Sequence, residues 1–307
     1  MEEIRVETAT EPRMRMPLRK RVDGVDTVYH EAGEGETIVF IYGGNFGSPD
    51  AASSAHIWDL NFFPLSERFR VVAFDKLGQG YTGNPTRDED YTMAAVVRHA
   101  AAFIKTLDAP GVHLVGHSRG GFAATRIALE YPDLVKSLSI VCSGTLSPTI
   151  SPNEIALAGN PHKPYSRESS RWVYEGYVHD PRSVTEDWVD RSYEVTNRPE
   201  VKKTVRKMVT EGLAHRYFLP ELAKQKRETL QWLKEGRLQR PVEIIWGAND
   251  KTVSSQGAFE VFNMIGPHQR HVEISMFNHC GHFPYREHPD RFNHLLSRFV
   301  DDVSARG

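Results

Sequence analysis

Ser118, Asp250 and His282 occur in this chain in an order that lets three separate loops bring them together, and as a set they could activate a hydroxyl for attack on a carbonyl. A serine is a poor nucleophile until a histidine takes its proton and a carboxylate fixes that histidine's tautomer. Ser118 lies in Gly116-His117-Ser118-Arg119-Gly120-Gly121, with the apolar run Val112-His113-Leu114-Val115 before it and a helical pattern from Phe122 to Tyr131 after it. Strand, sharp turn and helix form the setting of a nucleophile elbow, where glycines two residues either side of the serine let the strand and helix backbones approach closely. The bare Gly-x-Ser-x-Gly string is weak alone, and the flanking elements give it its weight.

The acid and the base should follow downstream at the ends of later strands. Asp250 closes Gly247-Ala248-Asn249-Asp250 after the apolar Val242 segment, and the bland reading of it is a turn aspartate near the helix that begins around Ser254. Two histidines compete in Phe277-Asn278-His279-Cys280-Gly281-His282-Phe283. His282 is preferred because it follows a glycine that permits a tight turn and directly precedes the last helical segment. An oxyanion also needs donors: the N–H of Arg119, just after the serine, and that of Gly44 or Asn45 in Tyr42-Gly43-Gly44-Asn45-Phe46-Gly47 are the candidates.

Other signals are weaker. Gly78-Gln79-Gly80-Tyr81-Thr82-Gly83 has the spacing of a dinucleotide fingerprint, but Asn84-Pro85 and a polar run follow where a helix should open. Asp75, at the end of the preceding strand, reads as structural. The histidines lack metal-site spacing, so neither metal nor cofactor is called for.

Six short apolar segments supply the strands that such loops require: 37–41, 71–74, 112–115, 138–141, 242–246 and 271–274. Their nearly continuous apolar character and the helices between them predict an α/β fold with a doubly wound, mostly parallel sheet. The long interval between the fourth and fifth strands holds helical patterns at 185–195, 199–211 and 219–235, so residues 146–236 are expected to form an inserted helical cap. The core would then comprise 18–145 and 237–307, with 1–17 as a lead-in.

The 307 residues carry a net charge of -2, which offers no general attraction for nucleic acid or an anionic membrane. Two cysteines, Cys142 and Cys280, give no disulfide framework and are read as free thiols in a reducing compartment. The charged start Met1-Glu2-Glu3-Ile4-Arg5 and the lack of a long apolar run predict a cytoplasmic protein without a membrane span.

Together these residues resemble the α/β-hydrolase superfamily over nearly the whole chain, and Asp75-Lys76-Leu77-Gly78-Gln79-Gly80 is similar to its D-x-x-G-x-G loop. Within it the chain looks like the meta-cleavage product hydrolases, which cut a carbon–carbon bond in vinylogous diketones from ring-opened aromatics. That likeness rests on Gly43 to Gly47, Cys280-Gly281-His282, the tail Glu287 to Asn293 and the string Thr185 to Arg191. It implies a small-molecule substrate, a homodimer, and a cap arginine on the substrate's ketone or carboxylate end, for which Arg191 is the match. Gly43, Trp188, Arg191 and Phe283 are accordingly expected to meet the substrate. The chain departs from that family's usual Asn-Ser-Met elbow and from its usual tryptophan after the histidine, having His117-Ser118-Arg119 and Phe283 instead. A carboxylesterase or lactonase with the same triad is the alternative, and a ligand-sensing receptor on the same fold is a third reading.

Overall fold

The computed structural model describes residues 14–44, 46, 48–149 and 158–306. Eight strands make one sheet: β1 (Leu18–Val22), β2 (Val25–Ala32), β3 (Thr37–Ile41), β4 (Arg70–Phe74), β5 (Val112–His117), β6 (Val135–Val141), β7 (Val242–Gly247) and β8 (Val272–Phe277). Their order is β1-β2-β4-β3-β5-β6-β7-β8, and every pairing from β4 onward to β8 is parallel. The six expected strands are β3 to β8. β3, β5 and β7 are buried along their full length, as strands covered on both faces must be.

The first two strands form an antiparallel hairpin that the sequence reading passed over. Val22 pairs with Val25 across Asp23-Gly24, and both turn residues have positive φ, 47° and 79°. That is the type I′ geometry an Asp-Gly pair favours, because it matches the twist of the flanking strands.

Helices α1 (Asp59–Ser66), α2 (Met93–Lys105) and α3 (Arg119–Glu130) connect the first strands. Between β6 and β7 the described residues hold helices and no strand: α4 (Arg167–Tyr177), α5 (Glu186–Asn197), α6 (Pro199–Val205) and α7 (Leu219–Lys234), with π turns at Arg206–Thr210 and Ala214–Phe218. Thr92, Ser166 and Thr185 each accept a backbone N–H from the first turn of the helix they precede, which fixes where α2, α4 and α5 begin. Helix α8 (Gln256–Ile265), the short α9 (Pro284–Glu287) and α10 (Pro289–Ser304) complete the chain. Among the described residues no helix is long and apolar enough to cross a membrane.

Because β3, β5, β7 and β8 run parallel, the loops after all four open at the same edge of the sheet. Residues far apart in sequence meet there.

Candidate active site

Ser118 follows directly on β5 with φ 53° and ψ -122°, a strained turn that a side chain other than glycine's adopts only where its surroundings enforce it. Here they do. The Ser118 N–H donates to the Val141 carbonyl at 2.8 Å, and the Ser118 carbonyl accepts from Gly121 N–H at 3.0 Å and Ser143 Oγ at 2.6 Å. A Cβ on Gly116 would stand 2.5 Å from the Gly120 oxygen, and one on Gly120 would stand 2.1 Å from the Ile41 oxygen. The two glycines therefore let α3 sit against β5 and β3, which turns Ser118 out at the sheet edge.

Asp250 and His282 meet although 32 residues separate them: His282 Nδ1 lies 2.6 Å from Asp250 Oδ2, with both side chains buried. Asp250 Oδ1 accepts from Thr252 N–H at 2.8 Å, Thr252 Oγ1 at 2.7 Å and Val253 N–H at 2.9 Å. A carboxylate that accepts on both oxygens receives the Nδ1 proton of His282 as well, which leaves Nε2 as the proton acceptor. His279 is exposed, with φ 53°, and its carbonyl accepts from His288. It takes no part in this contact.

The loop that carries His282 is held from two sides. The Glu287 carboxylate accepts from the N–H groups of Gly281, Phe283 and His179, and His282 N–H donates to the Tyr177 carbonyl at the end of α4. A Cβ on Gly281 would stand 2.4 Å from that same carbonyl, so glycine is what permits the approach. The Tyr177 ring stacks on the imidazole, with centroids 5.0 Å apart.

Ser118, Arg119, His282, Gly43, Gly44 and Phe283 all line one cavity of about 820 Å³. Tyr174 and Tyr177 of α4 and Leu222 and Lys226 of α7 line it too. Asn45, the other oxyanion candidate, lies outside the described residues. Cys142 Sγ falls within 4.8 Å of the Asp250 and His282 ligand atoms. Burial pushes its thiol pKa up, so it stands there as a neutral, poorly ligating group. Cys142 and Cys280 are both buried and unbridged.

The family profile described as the alpha/beta hydrolase fold matches residues 36–289. The chain belongs to the α/β-hydrolase family. A 2-hydroxy-6-oxo-6-(2'-aminophenyl)hexa-2,4-dienoic acid hydrolase of Metapseudomonas resinovorans is 26% identical over 299 residues, covering 92% of this chain and 91% of that protein. A 2-hydroxymuconate semialdehyde hydrolase of Pseudomonas putida is 28% identical over 286 residues, with 92% and 93% covered. In fold the chain is similar to a meta-cleavage product hydrolase from Pseudomonas fluorescens IP01, with a TM-score of 0.75 at 23% identity over 95% of this chain and 99% of that one.

Two residues expected on the substrate stand at the margin of this cavity. Arg191 pairs with Asp187 one turn back on α5 at 2.9 Å and lines a small pocket beside His56 that adjoins the cavity through Ala52, Ser53, Ile57 and Tyr174. Trp188 is buried between Tyr174, at a ring distance of 4.5 Å, and the Arg286 guanidinium, at 4.3 Å; it packs on Phe283 and lines the same small pocket as Arg191. Position on a helix is readable from sequence, but how α5 packs on its neighbours α4 and α6 is not. The cations that do line the cavity are Arg119 and Lys226, and Asp50 lies there too with its carboxylate accepting from Ser169 at 2.8 Å.

Other residues of this α/β hydrolase were not singled out by sequence. Lys76 holds the loop after β3, His117 holds the main chain of His282, and Glu287 holds the loop around it. Their one signal was the family resemblance, which quotes Glu287 in the tail, Lys76 in the D-x-x-G-x-G loop and His117 as a departure at the elbow.

Proposed function

We propose that this α/β hydrolase uses Ser118 as nucleophile, His282 as base and Asp250 as the carboxylate that orients it, and that its substrate is an acidic dienoate of the meta-cleavage type cut at a carbon–carbon bond. The observation that carries the reading is the 2.6 Å contact of His282 with Asp250 in a cavity that also holds the strained Ser118. His282 Nε2 would accept the Ser118 proton as Oγ adds to the substrate carbonyl, and the N–H groups of Arg119 and of Gly44 or Asn45 would hold the resulting oxyanion. Cleavage requires the dienol first to become a ketone, so that the departing carbon leaves as a stabilised carbanion and is then protonated. Water, deprotonated by His282, would release the acyl group as an acid.

The substrate class is supported by the dienoic acid and semialdehyde hydrolases to which the chain is similar across more than nine-tenths of its length. The cavity fits it: apolar and aromatic walls suit a diene, and Arg119 and Lys226 suit a carboxylate. Residues 146–236 would act as the cap over a core of 18–145 and 237–307, a reading supported by the helices of that interval that line the same cavity as Ser118. The resemblance extends the proposal to a cytoplasmic homodimer, for which light scattering should give twice the 34.8 kDa chain mass.

The test is an optical assay of purified protein, without added cofactor, against yellow dienoate ring-fission products, p-nitrophenyl esters and lactones. Bleaching of a dienoate with weak ester turnover is the expected result. Fast ester or lactone turnover without bleaching would replace the carbon–carbon reading with an esterase or lactonase.

A further inference from the structure

Lys76 is only 2% exposed, a costly place for an ammonium group unless something specific repays it. Its Nζ donates to the Gly43 carbonyl at 2.7 Å and the Gly44 carbonyl at 3.0 Å, and lies 4.6 Å from the centre of the Tyr42 ring. The neighbouring Asp75 carboxylate is engaged elsewhere, accepting from Ala55 N–H at 2.7 Å and Tyr81 N–H at 2.8 Å. The lysine therefore turns its N–H donors to two consecutive carbonyls of the loop after β3, while burial, with Arg119 adding to it and Asp75 opposing, draws its pKa well below the usual lysine value. Two adjacent carbonyls turned toward one point repel each other, and Gly44 with φ 75° supplies the backbone that turns them. A donor shared between them offsets that repulsion.

What this does for the site follows from peptide geometry. In a trans peptide the C=O and N–H point in opposite directions, so fixing the Gly43 carbonyl on Lys76 aims the Gly44 N–H away from Lys76. Gly43 and Gly44 both line the cavity, and Gly43 is packed so near the nucleophile that a Cβ there would stand 2.9 Å from Ser118 Cβ. A short N–H···O bond to the carbonyl also polarises the peptide and strengthens its N–H as a donor. An apolar side chain would fill the same space without a buried charge, so packing alone does not account for a lysine here.

We propose that Lys76 is a positioning residue that aims and polarises the Gly44 amide as an oxyanion donor, a role that rests on Ser118 being the nucleophile. It acts through the peptide and does not touch the substrate. An oxyanion donor matters more in the transition state than in the bound substrate, so its loss falls on kcat and leaves KM nearly unmoved.

The experiment compares wild type, Lys76→Met, Lys76→Gln and Ser118→Ala on whichever dienoate or p-nitrophenyl ester the wild type turns over, with an alkylboronic acid as tetrahedral mimic and thermal unfolding as the check on folding. Lys76→Met should lose about 30- to 100-fold in kcat with KM within threefold, and boronate affinity should fall by a similar factor. Lys76→Gln, which keeps a neutral donor, should lose less, and it carries the test if the methionine variant does not fold. A folded variant with kcat within threefold of wild type, or one whose kcat falls while boronate affinity holds, would overturn the role of Lys76. A wild type that turns over nothing, or a Ser118→Ala variant that stays active, would instead overturn the serine-hydrolase reading beneath it.

Discussion

His117 Nε2 donates to the main-chain oxygen of His282 at 2.8 Å, so the residue just before the proposed nucleophile grips the backbone of the proposed base. Its other nitrogen accepts from Tyr285 Oη at 3.2 Å. Burial, with the adjacent His282 adding to it, holds the His117 imidazole well below the usual histidine range, so it remains neutral and keeps this one-way arrangement. Replacing His117 by alanine should lower kcat by ~10- to 100-fold through misplacement of His282, with a smaller change in KM. Steady-state kinetics on a folded variant checks this, and an unchanged kcat would show that the grip is dispensable.

The carboxylate end of the substrate should be read by Arg119 and Lys226, which line the cavity, and not by Arg191. Lys226→Ala and Arg119→Met are each expected to raise KM for an acidic dienoate roughly tenfold while sparing a neutral ester, since a charge-assisted bond is lost only for the acid. Arg191→Ala should leave KM for both within twofold, because its partner is the exposed Asp187. A selective KM increase in Arg191→Ala would restore the expectation drawn from the family resemblance.

Gly120 is a stricter requirement than its place in a short motif conveys. A methyl group there would meet two backbone oxygens, at 2.1 Å from Ile41 and 2.5 Å from Tyr42, and neither can move without shifting β3. Gly120→Ala should therefore destabilise the fold by more than ~3 kcal/mol, which a urea unfolding midpoint would register. A midpoint close to wild type would mean that α3 can slide away from the sheet.

Glu243 lies within β7, fully buried, with Ser139 donating to one oxygen at 3.4 Å and, among the described residues, no hydrogen-bond partner for the other. Burial pushes its pKa up from 4.5 to about 8, with Glu273 adding to the rise and Arg298 opposing it. The folded state thus binds this proton more tightly than the unfolded chain does. The resulting stability is complete below the unfolded value and is lost as pH rises through the folded one. Glu243→Gln should be more stable than wild type at about pH 9 and lose that advantage toward about pH 5. Thermal melts at both pH values decide it, and a variant less stable at the alkaline end would contradict the protonated state.

What the sequence disclosed was what local pattern controls. The strands β3 to β8, the tight turn at Ser118 and the positions of Asp250 and His282 at strand ends all follow from apolar runs punctuated by glycine. The hairpin of β1 and β2 was equally local, announced by Asp23-Gly24, and was missed because attention went to continuous apolar runs instead of alternating ones. Helix α4 escaped notice for a related reason: its buried positions, such as Ser169, Ser170 and Tyr174, are too polar to stand out as a stripe. The placements of Arg191 and Trp188 depend on how α5 packs on α4 and α6, and the roles of Lys76 and His117 depend on partners 33 and 165 residues away. Such contacts are set by the assembled fold and leave no mark in the local sequence.

The central claim is that Ser118 attacks the substrate, and the most direct measurement of it is the turnover of Ser118→Ala against wild type on the substrate identified by the optical assay, with thermal unfolding confirming an intact fold. Because nucleophile and base act as a unit, the account predicts that kcat falls by at least ~1,000-fold while the variant still binds that substrate. A folded Ser118→Ala enzyme with near-normal turnover would contradict it.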